Sequence, residues 1–387
     1  MHRAPGEQQA AAAGPRAGGA PPRAWFLGSD TYRRPAYRND HPLAIPRASL
    51  VADLCRALGW LDDGCHVDSP RATVAELTRF HDPSYVAAVR RASREGRASA
   101  GDRERYGLGT RENPVFPGLF ERAATACGGS MEGARRILDG GTAFNPAGGT
   151  HHGLAARAHG FCYFNDPVLA ILTLLDAGLE RVFYADFDAH HGDGVQAAFA
   201  GEPRVFTLSV HEAGRWPGSG ALDDRGAGNA RNLPVPAGFN DAELRHLLHH
   251  AVVPLSAAFE PQAVVITVGA DALAGDPLSR LALGNTALWE AVQALRALSP
   301  RTLVLGGGGY NPWTLGRCWT GLWGVLCGER LPASLPDPAR ALLAGLECDL
   351  VDEDEVDPRW LDTLADPPGA GPVRAEVARL AGAALAA

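Results

Sequence analysis

Four short apolar runs constrain this chain more than any other feature: Val182-Phe183-Tyr184-Ala185, Val205 to Val210, Ala263 to Val268 and Thr302 to Leu305. They are continuous rather than alternating and rich in β-branched residues, as strands are when both faces of a parallel sheet are covered. Helical patterns lie between them. The clearest opens at Asn240, with Glu243 three residues on and apolar Leu244, Leu247, Leu248, Val252 and Leu255 following, a capping box that starts an amphipathic helix. Strands alternating with helices predict an α/β domain, three layers α/β/α around a central, mostly parallel sheet. In such sheets ligands collect at the carboxyl ends of the strands.

The 387 residues, 46% hydrophobic and 21% charged, suffice for one large domain or two ordinary ones. Residues 1–23 are Ala, Gly, Pro and Gln with a few Arg, which reads as a disordered tail. The catalytic domain is expected over 24–330. Residues 331–387 read as an extension: Pro-punctuated sequence, the acidic run Asp349 to Asp357, then a helical stretch with Val373, Val377 and Leu380 in step, packed on the domain or on a second subunit. No run approaches the ~20 apolar residues of a membrane span, and the first thirty residues lack the apolar core of a secretion signal. Seven scattered cysteines without a CxxC pair fit neither a disulfide framework nor a zinc ribbon, which places the chain in a reducing cytoplasm. The net charge is −8 and all 36 basic residues are arginine, which argues against nucleic acid as a ligand and leaves the chain no lysine of its own to be acylated.

Polar clusters follow the expected strands. Asp186-Phe187-Asp188-Ala189-His190-His191-Gly192-Asp193 succeeds the first run, Gly269-Ala270-Asp271 the third, and four glycines with Tyr310 the fourth; Gly148-Gly149-Thr150-His151-His152-Gly153 succeeds the segment Thr142 to Asn145. In extended chain Asp186, Asp188 and His190 share a face. Asp188 and His190 then offer an oxygen and a nitrogen to a divalent metal, and Asp271 arrives as a third ligand, the open set of a catalytic site. A lone DxD is as readily a solvated edge, a tandem His pair often does nothing, and Tyr310 alone reads as a rim tyrosine. Together at one sheet edge, His151 and His152 become candidates for proton transfer. The glycines let the backbone approach a ligand closely and the Tyr310 phenol swing over it, where its hydroxyl can donate to an oxyanion.

These segments, "GGTHHG", "GFCYFNDPVLAILTLL", "DFDAHHGDG", "LSVHEAGRWPGSG", "GADALAGDPL" and "GGGGY" in that order, with "YGLGTRENPVFPGLFE" ahead of them, resemble the zinc-dependent histone deacetylase family, an arginase/deacetylase-like fold, and within it the bacterial acetoin utilization branch. The resemblance runs from about Ala24 to Gly328. It implies Asp188, His190 and Asp271 as zinc ligands, ferrous iron being a possible substitute, and Tyr310 as the residue that polarises the amide carbonyl. It implies His151 paired with Asp186 and His152 with Asp193. Gly160, Phe161 and Trp216 would line the acyl-lysine tunnel, Trp216 replacing the usual Phe, and Glu112 would sit where a rim carboxylate grips the substrate backbone. Arg47 would stand beside an internal channel for acetate, its alternative being a salt-bridged arginine at a helix start. A monovalent cation such as K+ would take backbone oxygens of Asp186, Asp188, His190 and Val210 with the Ser209 hydroxyl; on its own Ser209 reads as a core serine, and Cys162 as a buried small residue.

The implied reaction is hydrolysis of acetyl-lysine in proteins to lysine and acetate by metal-activated water, with His152 as base and then acid, His151 held cationic by Asp186, and Tyr310 on the oxyanion. An acyl-activating synthetase is the partner this branch suggests. Two other readings stay open: an amidohydrolase of acetylated polyamines, whose relatives carry a "PPGHH" variant where this chain has Asn145-Pro146-Ala147-Gly148-Gly149, and a non-catalytic acyl-lysine binding module, which would have lost a ligand or Tyr310. Oligomeric state has no signature in the sequence.

Overall fold

The computed structural model describes residues 24–38 and 40–385, so the tail expected over 1–23 lies outside the described residues. The four apolar runs form neighbouring strands in a sheet of eight: β1 (Ala24–Gly28), β2 (His66–Asp68), β3 (Gly141–Asn145), β4 (Val182–Asp186), β5 (Val205–Glu212), β6 (Ala230–Val235), β7 (Ala263–Thr267) and β8 (Arg301–Leu305). Their order is β2-β1-β3-β8-β7-β4-β5-β6, and every pairing is parallel. Both faces are covered, as continuous apolar strands require. Along β4, Phe183 and Ala185 enter one core while Val182 and Tyr184 enter the other; along β7, Val264 and Ile266 separate from Ala263 and Val265 in the same way.

Register aligns the strand ends. Asn145 pairs with Leu305, Leu305 with Thr267 and Thr267 with Asp186, so four neighbouring strands finish in one row, and β5, whose Ser209 pairs with Asp186, runs on to Glu212. The polar clusters noted in the sequence leave the sheet together from that row.

The capping box at Asn240 forms: its Oδ1 accepts from the amides of Ala242 and Glu243, and Glu243 Oε2 accepts from the Asn240 amide at 3.1 Å. Its helix (Asp241–Leu247) continues through a π turn into a second stretch ending at Phe259. Residues after 331 pack back on the domain. Leu335, Ala339, Leu343, Val351 and Leu364 cluster with Leu50, Leu54 and Trp313. The last helix, Ala375–Leu385, begins later than the sequence pattern suggests. Val373 lies exposed ahead of it, and the buried stripe is Val377, Ala381 and Ala384, laid on β6 and on helix Asp241–Leu247. Arg374 fixes this start by pairing with the capping-box carboxylate of Glu243, Nε to Oε1 at 2.6 Å.

Candidate active site

Beyond Asp186 the chain leaves the sheet but keeps its alternation: Phe187 and Ala189 turn into the core, while Asp188 and His190 turn toward the loops. Asp271, on the short helical turn after β7, meets them. His190 Nδ1 lies 2.9 Å from Asp271 Oδ2 and 3.2 Å from Asp188 Oδ1, and one ligand atom from each residue falls within 4.8 Å of the others. Asp186 takes no part in that set; its Oδ2 faces His151 Nδ1 at 2.7 Å and accepts from the Tyr184 hydroxyl at 2.6 Å. Burial works against the Asp188 anion, yet His151 and His190 hold its carboxyl well below the usual range. Burial, with the Asp188 charge added, pushes the Asp271 carboxyl up. Two buried carboxylates against one imidazole make a site whose anions need a cation, and the mixed oxygen and nitrogen donors suit zinc or ferrous iron.

The glycines after β8 pack closely on these carboxylates. The Gly308 amide donates to Asp188 Oδ2 at 2.5 Å, and a Cβ on Gly308 would collide with the Asp271 carboxylate. The main chain at Tyr310 is anchored, since its amide donates to Asp276 Oδ2 at 2.8 Å. Burial, and then the Asp271 and Asp188 charges, lift the Tyr310 phenol well above its ordinary value, so it remains an O–H donor.

The tandem histidines have different electrostatic fates. His152 Nδ1 is 2.6 Å from Asp193 Oδ1. Burial and the neighbouring His151 charge lower His152 to about 3. Burial also opposes charge on His151, but Asp186 and Asp188 outweigh it and raise this imidazole to about 9. One imidazole is thus neutral beside a charged one, with ring centroids 3.9 Å apart.

A cleft of about 1150 Å³ opens onto this floor, lined by Glu112, His152, Gly160, Phe161, His190, Trp216 and Tyr310 among others. Phe161 holds a positive φ of 63°, uncommon for a residue with a Cβ, and its ring lies 5.9 Å from that of Tyr310. At Gly160, φ 54°, a Cβ would strike the Trp216 ring and come within 2.6 Å of His152 Cδ2, so only glycine keeps the cleft open there. Glu112 reaches the rim, and its Oε1 accepts from the Gly160 amide at 2.7 Å, supporting the wall. Arg47, at the N-cap of helix Ala48–Ala57, has no carboxylate within ion-pair distance among the described residues. Its Nη2 donates to Gly307 O and its guanidinium lies 5.2 Å over the Trp319 ring. It lines a smaller cavity of about 100 Å³ that shares Tyr37, Phe116 and Phe161 with the large cleft. Ser209, paired with Asp186 across the strands, places its hydroxyl 2.9 Å from His211 Nδ1, with Val210 buried beside it. Cys162 is buried.

Residues 41–326 match the Histone deacetylase domain. The chain is 35% identical over 325 residues, 79% of this chain and 84% of its relative, to "Acetoin utilization protein AcuC" of Bacillus subtilis (strain 168). It is 36% identical to "Histone deacetylase 8" of Xenopus tropicalis over 299 residues, 75% of this chain and 80% of that one. The chain belongs to the histone deacetylase family. Its structure is similar to the crystal structure of an HDAC homolog from Aquifex aeolicus, with a TM-score of 0.90, 37% identity, and coverage of 94% of this chain and 100% of that one. A second crystal structure, an HDAC homolog complexed with SAHA, gives a TM-score of 0.89 at 36% identity with the same coverage. The sheet is therefore the arginase/deacetylase fold, and the protein is a deacetylase of this hydrolase family.

Several residues that shape this site escape sequence reasoning. Asp166 is fully buried and accepts from the Ser130 hydroxyl and from the amides of Gly149 and Thr150, anchoring the loop that carries both histidines. Asn165 donates to His151 O and Gly153 O from the other side. In the sequence this pair looks like an ordinary helix start, which it also is, since Asn165 caps helix Asp166–Asp176. His159 brings its Nδ1 to 3.3 Å from the second oxygen of Asp193, and Asp276 accepts from Tyr310; neither belongs to a polar cluster at a strand end.

Proposed function

We propose that this protein is a metal-dependent lysine deacetylase that cleaves the acetyl-lysine amide of proteins to lysine and acetate. The observation that carries the reading is the floor of the cleft, where an Asp188–His190–Asp271 donor set, two carboxylate-oriented imidazoles and a phenol converge. The donor set fits a divalent ion, zinc or ferrous iron, by its buried excess of negative charge. Such an ion supplies Lewis acidity, polarising a carbonyl and acidifying water.

The chain's own groups account for the proton movements. His152 is neutral with Nδ1 committed to Asp193, so Nε2 is free to take a proton from water as that water attacks the acetyl carbon. Tyr310 donates its hydroxyl to the oxyanion that forms. His151, cationic between Asp186 and Asp188, stabilises the developing negative charge without giving up its proton. His152 then returns a proton to the lysine nitrogen as the C–N bond breaks, and the amine leaves neutral. Arg47 lines the route for acetate through the smaller cavity, and the loop from Asp186 to His190 with Ser209 and Val210 is the place for a monovalent cation.

An acetylated protein, with an acyl-activating synthetase as the class that the likeness to the acetoin utilization protein suggests, is the substrate in this account. Among the described residues no helix is long and apolar enough to cross a membrane, and all seven cysteines stay unpaired, in keeping with a cytoplasmic partner. Among the described residues Arg111 and Arg280 line the cleft without an acidic side-chain partner, the cleft's Asp40 and Glu212 being paired with Arg38 and Arg215, which disfavours a polycation such as an acetylated polyamine. The test is acetate release from an acetyl-lysine peptide beside N-acetylated polyamine. Peptide turnover supports the reading; turnover of polyamine alone overturns it.

A further inference from the structure

Five large apolar side chains stand exposed among the described residues, and two of them, Trp216 at 42% and Leu350 at 41%, line the same cleft. Leu350 comes from the segment after the matched domain, which ends at residue 326. Its position is fixed from both sides. Val351 is buried in the cluster with Leu50, Leu54, Trp313 and Leu343, and the Cys348 thiol lies 3.6 Å from the carbonyl of Tyr310. Leu350 is 41% exposed although the chain on either side of it is anchored, and the exposed part of its side chain forgoes the burial that stabilises other leucines. When the amide of an acetyl-lysine reaches the Asp188–His190–Asp271 set through this cleft, the polypeptide attached to it comes to rest against the cleft's mouth.

We propose that Leu350 is a specificity-determining residue of this enzyme: with Trp216 it forms an apolar clamp on the polypeptide that flanks the acetyl-lysine, and the C-terminal extension thereby completes the substrate site. This rests on the deacetylase reading and narrows it to substrates that present chain on either side of the modified lysine. The clamp acts on binding of the flanks and leaves the chemistry at the floor untouched.

The experiment compares Leu350→Ala and Leu350→Glu with the unaltered, metal-replete enzyme on two substrates, an acetyl-lysine peptide with apolar flanks and N-acetyl-lysine methylamide, which lacks flanks. The expected result is a peptide KM raised roughly three- to ten-fold by Leu350→Ala, and raised further by Leu350→Glu. kcat should be unchanged, and kcat/KM on the methylamide should stay level. An unchanged peptide KM overturns the proposal. So does an equal loss on both substrates, or a change in sedimentation in place of a change in KM, which would make the patch a contact between copies of the chain. If the unaltered enzyme hydrolyses neither substrate, the deacetylase reading itself falls, and this inference with it; turnover insensitive to Leu350 removes only the clamp.

Discussion

His152 Nδ1 lies 2.6 Å from Asp193 Oδ1, and that contact decides which nitrogen of the imidazole faces the cleft. With Nδ1–H held by the carboxylate, Nε2 is the basic atom. Asp193→Asn permits the opposite tautomer, so kcat should fall roughly 10²- to 10⁴-fold with KM little changed. His152→Ala and Tyr310→Phe should each lower turnover by orders of magnitude while metal content and the melting curve hold. Steady-state kinetics with metal analysis checks all three, and near-normal kcat in any of them contradicts its assigned role.

Gly160 gives a steric prediction. Its φ of 54° and the proximity of Trp216 and His152 leave no room for a methyl group. Gly160→Ala should lower kcat/KM by at least roughly ten-fold by displacing the wall from the base. Its melting temperature should fall only a few degrees, because the substitution strains one half-buried loop.

Much of this site was legible in the sequence because its polar residues follow apolar runs directly, and parallel strands end in a common row. Asp188, His190 and Asp271 therefore meet as their positions suggest. What the sequence hid has physical reasons. β2 is three residues long and β6 carries Arg, Asn and Pro, yet both are edge strands, where Pro234 and polar residues are tolerated. Asp166 and Asp276 act through backbone amides of distant loops, contacts that no local pattern announces. The onset of the last helix depends on Arg374 reaching Glu243, 131 residues away.

Stability should depend on pH through His81, which lies apart from the metal ligands. Its Nε2 accepts from the Asn165 amide at 2.9 Å and its Nδ1 faces Leu154 O at 3.1 Å, so it is held neutral. Burial lowers it from 6.5 to about 4. The unfolded chain takes up this proton first on acidification, so the contribution is full above pH 6.5, is lost as pH falls toward 4, and amounts to roughly 3 kcal/mol. Denaturant unfolding at a series of pH values should show His81→Gln losing up to one proton's worth of slope in that window. Parallel curves for the two proteins would contradict the assignment.

The metal set predicts a stability effect separate from activity. An ion bound by Asp188, His190 and Asp271 in the folded chain alone stabilises it by mass action. Chelation should lower the melting temperature of the unaltered protein, and Asp271→Asn should bind substoichiometric metal and melt at the same temperature with or without chelator. A chelator response that survives Asp271→Asn would place the metal elsewhere.

The most direct measurement of the central claim is hydrolysis of an acetyl-lysine peptide before chelation, after it, and after restoring zinc or ferrous iron. Turnover that vanishes with the metal and returns with it is the predicted result. Peptide turnover that persists in the fully stripped protein, or a metal-replete protein that leaves the peptide intact, would contradict it.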